Sequence, residues 1–162
     1  MPDADVLFTA HREGVFRYLC RIVGYEDARE LTQEVFLRVT RTTVPQTDEG
    51  GRRAWLFRIA RNLALNHVRD DRRRGETVEM AEDPAFPPTQ TLTVALREAL
   101  DRLSPVDRDV FLMREVGGLS YDEISFACQL TADAVRSRLH RVRQQLREAL
   151  SSGDAHRNRS WR

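Results

Sequence analysis

Between Gly75 and Thr93 the chain loses its hydrophobic period. It carries Pro84, Pro87 and Pro88 there, and Glu76, Glu79, Glu82 and Asp83 without one basic residue. Such a stretch buries too little apolar surface to order a core, and it reads as an extended, flexible linker. The 162 residues are thereby split into two blocks, neither larger than a small domain. A hydrophobic share of 41% is enough to give each block a packed interior and argues against disorder throughout.

Both blocks are patterned as helices. Phe8, Val15, Leu19 and Ile22 recur at helical spacing and predict a first helix ending near Gly24. Asp27, with Glu30 three residues on, suits the start of a second, whose buried face is Leu31, Val35 and Val39. Thr43 to Gly51 reads as a loop. Leu56, Ile59, Ala60 and Leu63 then mark a third helix running toward Val68, with an interruption expected around Asn62 to Asn66. After the linker, Leu96, Leu100 and Leu103 open a new stripe. Ser104 and Pro105 supply a cap and a first-turn proline, and Gly117 with Gly118 closes the helix they begin. Ser120 and Glu123 form a capping-box pattern for a short helix through Ile124 and Ala127, and a last helix runs from about Ala132 to Leu150. No useful length alternates as a strand would, so the fold class is all-α, two small helical domains.

Charge is distributed in opposed blocks. The formal net charge is only +1, yet Arg52 to Arg74 contains eight arginines against Asp70 and Asp71. Every basic residue is arginine, whose planar fork suits phosphates and guanine edges. Genomic codon bias explains that choice equally well. Cys20 and Cys128 lack neighbouring ligand motifs, which predicts two packed, reduced thiols and neither a zinc site nor a disulfide framework. No apolar run approaches the roughly 20 residues that span a bilayer, so membrane insertion is not expected and the cytoplasm is. His11, His67, His140 and His156 are scattered, and no nucleophile, glycine-rich phosphate loop or metal constellation stands out. No catalytic role and no cofactor are expected.

The short capped helix, tight turn and longer basic helix have the layout of a helix-turn-helix. At about 100° per residue, Val135, Leu139, Val142 and Leu146 share a narrow arc that must face the core. The opposite arc carries Arg136, Ser137, His140, Arg141, Gln144 and Arg147, donor-rich side chains that a DNA groove would satisfy. A merely solvated helix face would carry similar charges.

GLSYDEIS followed by VRSRLHRVR, within Gly118 to Arg143, resembles region four of sigma factors, the promoter-recognition subunits of bacterial RNA polymerase. DARELTQEVFLRV at Asp27 to Val39 and AWLFRIARNLALNHVRDDRRR at Ala54 to Arg74 resemble region two. The two motif sets occur in the family's order, joined by a short linker, and the layout is similar to the extracytoplasmic-function group. The resemblance implies region two over residues 1–74, a linker over 75–93, region four over 94–150 and a flexible basic tail over 151–162.

The resemblance further implies site residues. Glu30, Gln33 and Glu34 match positions that contact core RNA polymerase. Asn62 and Asn66 match positions that capture a base extruded from the minus-ten element, an amide offering both donor and acceptor. Arg58, Arg61, Arg69, Arg72, Arg73 and Arg74 would follow the strand's phosphates. Arg136, Ser137, His140 and Arg141 match the groove-facing positions for the minus-thirty-five element, with Arg114 and Tyr121 as phosphate contacts. Trp55 is expected in the core. Core RNA polymerase and promoter DNA are the implied partners, with an anti-sigma protein as a third. Two features depart from the family pattern. The segment before Trp55 reads TDEGGRRAW and lacks an aromatic-rich run, and the recognition helix opens with Thr131, Ala132, Asp133, Ala134. Other readings of the same residues are a self-sufficient dimeric helix-turn-helix regulator, a protein-interaction adaptor and a nucleic-acid enzyme.

Overall fold

The computed structural model describes residues 4–75 and 90–159. Most of the expected linker, residues 76–89, and the last three residues of the expected tail lie outside the described residues. The rest is helical, without a strand among the described residues: α1 (Ala4–Val23), α2 (Tyr25–Arg41) and α3 (Glu49–Arg74) in the first block, then α4 (Gln90–Asp101), α5 (Pro105–Glu115), α6 (Tyr121–Cys128) and α7 (Ala132–Arg159) in the second.

In the first block α1, α2 and α3 pack on one another. Val15 and Leu19 of α1, Val35 and Val39 of α2, and Leu56, Phe57 and Ala60 of α3 are all buried. A single residue, Gly24, separates α1 from α2. Its φ of 87° is a left-handed conformation that a Cβ would strain, and so glycine makes the sharp corner possible. Asp27 is therefore not the cap. It lies inside α2, its carboxylate 2.9 Å from Nε2 of His67 on α3.

The third helix differs from expectation at both ends and in the middle. Asp48 caps it by accepting from the Gly51 backbone N–H at 2.7 Å, so the helix begins inside the expected loop. No break occurs at Asn62 to Asn66. Ala60, Leu63 and Ala64 are buried there, and their packing outweighs the few tenths of a kcal/mol by which asparagine disfavours a helix.

The second block follows the predicted caps closely. Ser104 Oγ accepts from Asp107 N and Ser120 Oγ from Glu123 N, each at 3.2 Å. Gln129, at φ 56°, closes α6 in the left-handed turn, and Thr131 Oγ1 accepts from Ala134 N at 3.1 Å to start α7. Val135, Leu139, Val142 and Leu146 are buried as the helical wheel requires. α7 continues past Leu150 to Arg159, because extending an existing helix adds a hydrogen bond for each residue fixed and no proline intervenes.

The two blocks are not held apart. α3 lies along α6 and α1 touches α5, so the buried apolar side chains of both halves join in one cluster. At the junction Phe57, 1% exposed, packs against fully buried Tyr18 with ring centroids 5.5 Å apart. Gly117 completes the seam. A Cβ there would sit 2.9 Å from the Phe57 ring and 2.9 Å from the backbone oxygen of Met113.

Candidate nucleic-acid interface

Because α3 is unbroken, its polar residues fall into two stripes. At about 100° per residue, Arg58, Asn62, Asn66, Arg69 and Arg73 span an arc of roughly 80°. Asn62, Asn66, Arg69 and Arg73 are exposed and Arg58 is half-buried, its guanidinium 5.2 Å from the centroid of Phe126 on α6. Arg72 and Arg74 are also exposed, and Arg74 pairs with Asp71 at 3.1 Å. Side by side, Asn62 and Asn66 present two amides one turn apart, flanked above and below by guanidinium groups. Such a row can hydrogen-bond base edges while neutralising the phosphates between them.

Arg61 sits on the neighbouring stripe and is largely buried. Its Nε donates to Asp109 Oδ2 at 2.9 Å, while the Tyr18 hydroxyl donates to Oδ1 of the same carboxylate at 3.0 Å. Burial pushes the Asp109 carboxyl above its usual range against the attraction of Arg61, and burial also drives the Tyr18 phenol well above 10. Arg61, Arg69, Arg72, Arg73 and Arg108 surround a cleft of about 420 Å³ between α3 and α5. Its apolar floor includes Ile22, Leu65 and Val68.

On α7, Arg136, Ser137, His140 and Arg141 are all exposed. Arg136 makes a local pair with Asp133 at 2.8 Å that leaves most of its fork open. Tyr121 lies beside this face, its ring 5.1 Å from the Arg114 guanidinium and 5.9 Å from that of Arg136. Arg114 also donates to the Leu119 carbonyl at 2.9 Å, which fixes its stem. Arg143, which the wheel leaves near the core arc, reaches the same depression as Tyr121, Arg136 and His140 and pairs with Glu115 at 3.2 Å. Its long stem carries the charge outward from a half-buried backbone position.

The polar residues of α2 form a third surface. Glu30 and Gln33 are exposed, and half-buried Glu34 pairs with Arg38 at 3.0 Å. Leu37, 47% exposed, continues their stripe with an apolar side chain that the core pattern did not single out. Trp55 is half-buried against the core. Asp27, His67 and Asp71 bring three potential ligand atoms within 4.8 Å of one another, a convergence hidden in sequence by the distance between Asp27 and His67. His67 Nε2 lies 2.9 Å from Asp27 and 3.1 Å from Asp71, and Arg74 also holds Asp71, so the side chains of the cluster engage one another and tie α2 to α3.

Two family models match the chain, sigma-70 region 2 over residues 7–74 and sigma-70 region 4 over residues 93–146. The chain belongs to the sigma-70 family. α1 to α3 are its region 2 and α4 to α7 carry its region 4. The chain is 40% identical to the extracytoplasmic-function sigma factor SigE of Mycolicibacterium smegmatis, over 93% of this chain and 63% of that protein. It is 30% identical to the probable extracytoplasmic-function sigma factor SigI of Mycobacterium tuberculosis, over 86% of this chain and 53% of that protein. The chain thus spans about half to two-thirds of the length of these relatives. Two solved structures share the fold. The sigma factor RpoE of Bartonella quintana, in complex with the anti-sigma factor NepR, superposes with a TM-score of 0.74 at 20% identity, covering 93% of this chain and 98% of that one. CnrH, in complex with the cytosolic domain of CnrY, gives 0.70 at 21%, covering 92% and 88%. With region 2 in the first block, the reading of the chain as a self-sufficient dimeric helix-turn-helix regulator finds no support. No helix among the described residues is long and apolar enough to cross a membrane.

Proposed function

We propose that this chain binds core RNA polymerase and directs initiation at a restricted set of promoters, working in the cytoplasm. Region 2, assigned to residues 1–74, docks on the polymerase through Glu30, Gln33 and Glu34 and takes unpaired minus-ten bases on Asn62 and Asn66. Arg58, Arg61, Arg69, Arg72, Arg73 and Arg74 follow the phosphates of that strand. Region 4, assigned to residues 94–150, sets Arg136, Ser137, His140 and Arg141 in the major groove of the minus-thirty-five element, with Arg114 and Tyr121 at its backbone. Residues 75–93 connect the two, and residues 151–162 form a tail. The chain contributes recognition, and nucleotidyl transfer is the polymerase's.

The observation that carries this reading is the stripe on α3. Two exposed asparagines one turn apart, bracketed by Arg58, Arg69 and Arg73, stand on the same chain as the exposed donor face of α7. The first suits single-stranded bases and the second suits a duplex groove. An anti-sigma protein, of the kind that NepR is to the Bartonella protein, would inhibit by covering either surface.

Reconstituted transcription tests the proposal. Purified chain added to core polymerase should give initiation at a restricted promoter set, and absence of both binding and selectivity would overturn it. Alanine at Asn62 and Asn66 should impair open-complex formation more than core binding. Equal loss of both would argue against base capture.

A further inference from the structure

The last turns of α3 carry Arg69, Arg72, Arg73 and Arg74, yet little apolar packing holds them. Ala64 is the last fully buried apolar residue of the helix, and Val68 beyond it is half-buried. The next buried side chain is a carboxylate, Asp71. Burying a carboxylate is costly unless a cation or donors meet it. His67, one turn earlier on α3, and Asp27, in the first turn of α2, converge on the same spot.

Acceptors outnumber donors there. His67 Nε2 carries at most one hydrogen, and the hydrogen bond of the ring is with Asp27 Oδ2 at 2.9 Å. Asp71 Oδ2 faces the same nitrogen at 3.1 Å, and no other donor is directed at it among the described residues. Arg74 reaches Oδ1 instead, and its side chain is 60% exposed, so solvent screens its charge. An oxygen of a side chain only 6% exposed is thus aimed into the cluster without a hydrogen of its own.

One nitrogen and two carboxylate oxygens are a donor set that zinc takes. Zinc binds imidazole nitrogen and carboxylate oxygen at about 2.0 to 2.2 Å, which sets the edges of its tetrahedron at about 3.3 Å. Two edges here are 2.9 and 3.1 Å, and the third is within 4.8 Å. The Asp27 side chain is 43% exposed, which gives an ion its way in and leaves the fourth position to water. Arg74, on the other oxygen of Asp71, orients that carboxylate as outer-shell donors do. The imidazole ligand argues against calcium and magnesium, which favour all-oxygen shells of higher coordination number.

We propose that Asp27, His67 and Asp71 form a site for a divalent transition cation of the zinc class, which clips the basic end of α3 to the start of α2. On binding, the hydrogen at Nε2 leaves to solvent and the nitrogen lone pair takes the ion. At about 100° per residue, His67 and Asp71 point nearly opposite to the stripe of Asn62 and Asn66. The ion therefore steadies the helix that bears the stripe and leaves the stripe open. The site stands independently of the assignment of α3 to strand binding.

The experiment uses the full-length chain, stripped with a chelator that is then removed. Zinc is titrated by calorimetry, and cobalt by visible absorption. The parent should bind one equivalent of zinc with a micromolar dissociation constant, and cobalt should give the intense d–d bands of a four-coordinate ion. Zinc should also raise the urea midpoint, because an ion that binds only the folded chain stabilises it. His67→Gln and Asp71→Asn should each weaken zinc binding by at least about ten-fold and abolish the rise in midpoint. His140→Gln, on α7, should bind zinc as the parent does.

Should Asp71→Asn fail to fold by circular dichroism, Asp27→Asn at the more exposed ligand replaces it, with the same loss expected. Absence of saturable zinc binding to the parent below about 1 mM would overturn the proposal. Equal binding by the parent and His67→Gln would overturn it too, as would the weak bands of six-coordinate cobalt.

Discussion

Replacing Arg61 by alanine strands the carboxylate of Asp109, which is 4% exposed and retains one hydrogen bond from Tyr18. Breaking a buried pair by removing one partner costs about 3 to 5 kcal/mol. Two features reduce that figure here. The Tyr18 hydroxyl still donates, and Asp109 lies at a seam that can open to let water in. A loss of about 2 to 4 kcal/mol at pH 7 is therefore expected. The loss must also depend on pH. Burial already raises the Asp109 carboxyl, and without the cation it rises further, so the variant takes up a proton more readily and relieves the buried charge. Its folded-state pKa lies above the unfolded value, so the folded variant gains relative to the unfolded chain as pH falls through that range. Urea unfolding of the parent and Arg61→Ala at pH 7.5 and 5.0 checks both points. The deficit should shrink at pH 5.0. A deficit below about 0.5 kcal/mol at pH 7.5, typical of a solvated surface pair, or one unchanged at pH 5.0, would refute the reasoning.

Other outcomes follow from single residues. Burial, then the charge of Arg53, lowers the pKa of His11, whose Nε2 is enclosed without a partner, so folding favours neutral histidine and stability falls as pH drops below about 6.5. His11→Leu should flatten that part of the urea-midpoint profile between pH 7.5 and 5.5, and an unchanged slope would locate the effect elsewhere. Burial pushes the Cys128 thiol up to about 12, so the native protein should resist iodoacetamide at pH 8 and react once unfolded; modification at the rate of a free thiol would contradict the packing. Alanine at Arg136 or Arg141 should weaken promoter binding by about 1 to 3 kcal/mol in a manner that depends on the upstream base, whereas uniform loss across sequences would mark a phosphate contact.

What the sequence showed best was local. Ser104, Ser120 and the α7 wheel need only neighbours within one or two turns, and each took the place its spacing required. Asn62 and Asn66 suggest a break because their side chains compete for the backbone, yet the burial of Ala60, Leu63 and Ala64 beside them keeps α3 continuous. Asp27 and Glu123 look like helix-start residues, yet both spend their carboxylates on distant partners, His67 and Arg53. The docking of region 4 on region 2 had no sequence signal at all. It depends on pairs such as Tyr18 and Asp109 that no period connects, and on a glycine at 117 whose value lies in the approach of Phe57.

The most direct test is site-specific photo-crosslinking within one initiation complex assembled on core polymerase. A photoreactive side chain at Asn62 or Asn66 should mark the non-template strand at the minus-ten element, and one at Arg141 should mark the upstream duplex near minus thirty-five. Crosslinks from either helix only to protein, in a complex that makes transcript, would contradict the account.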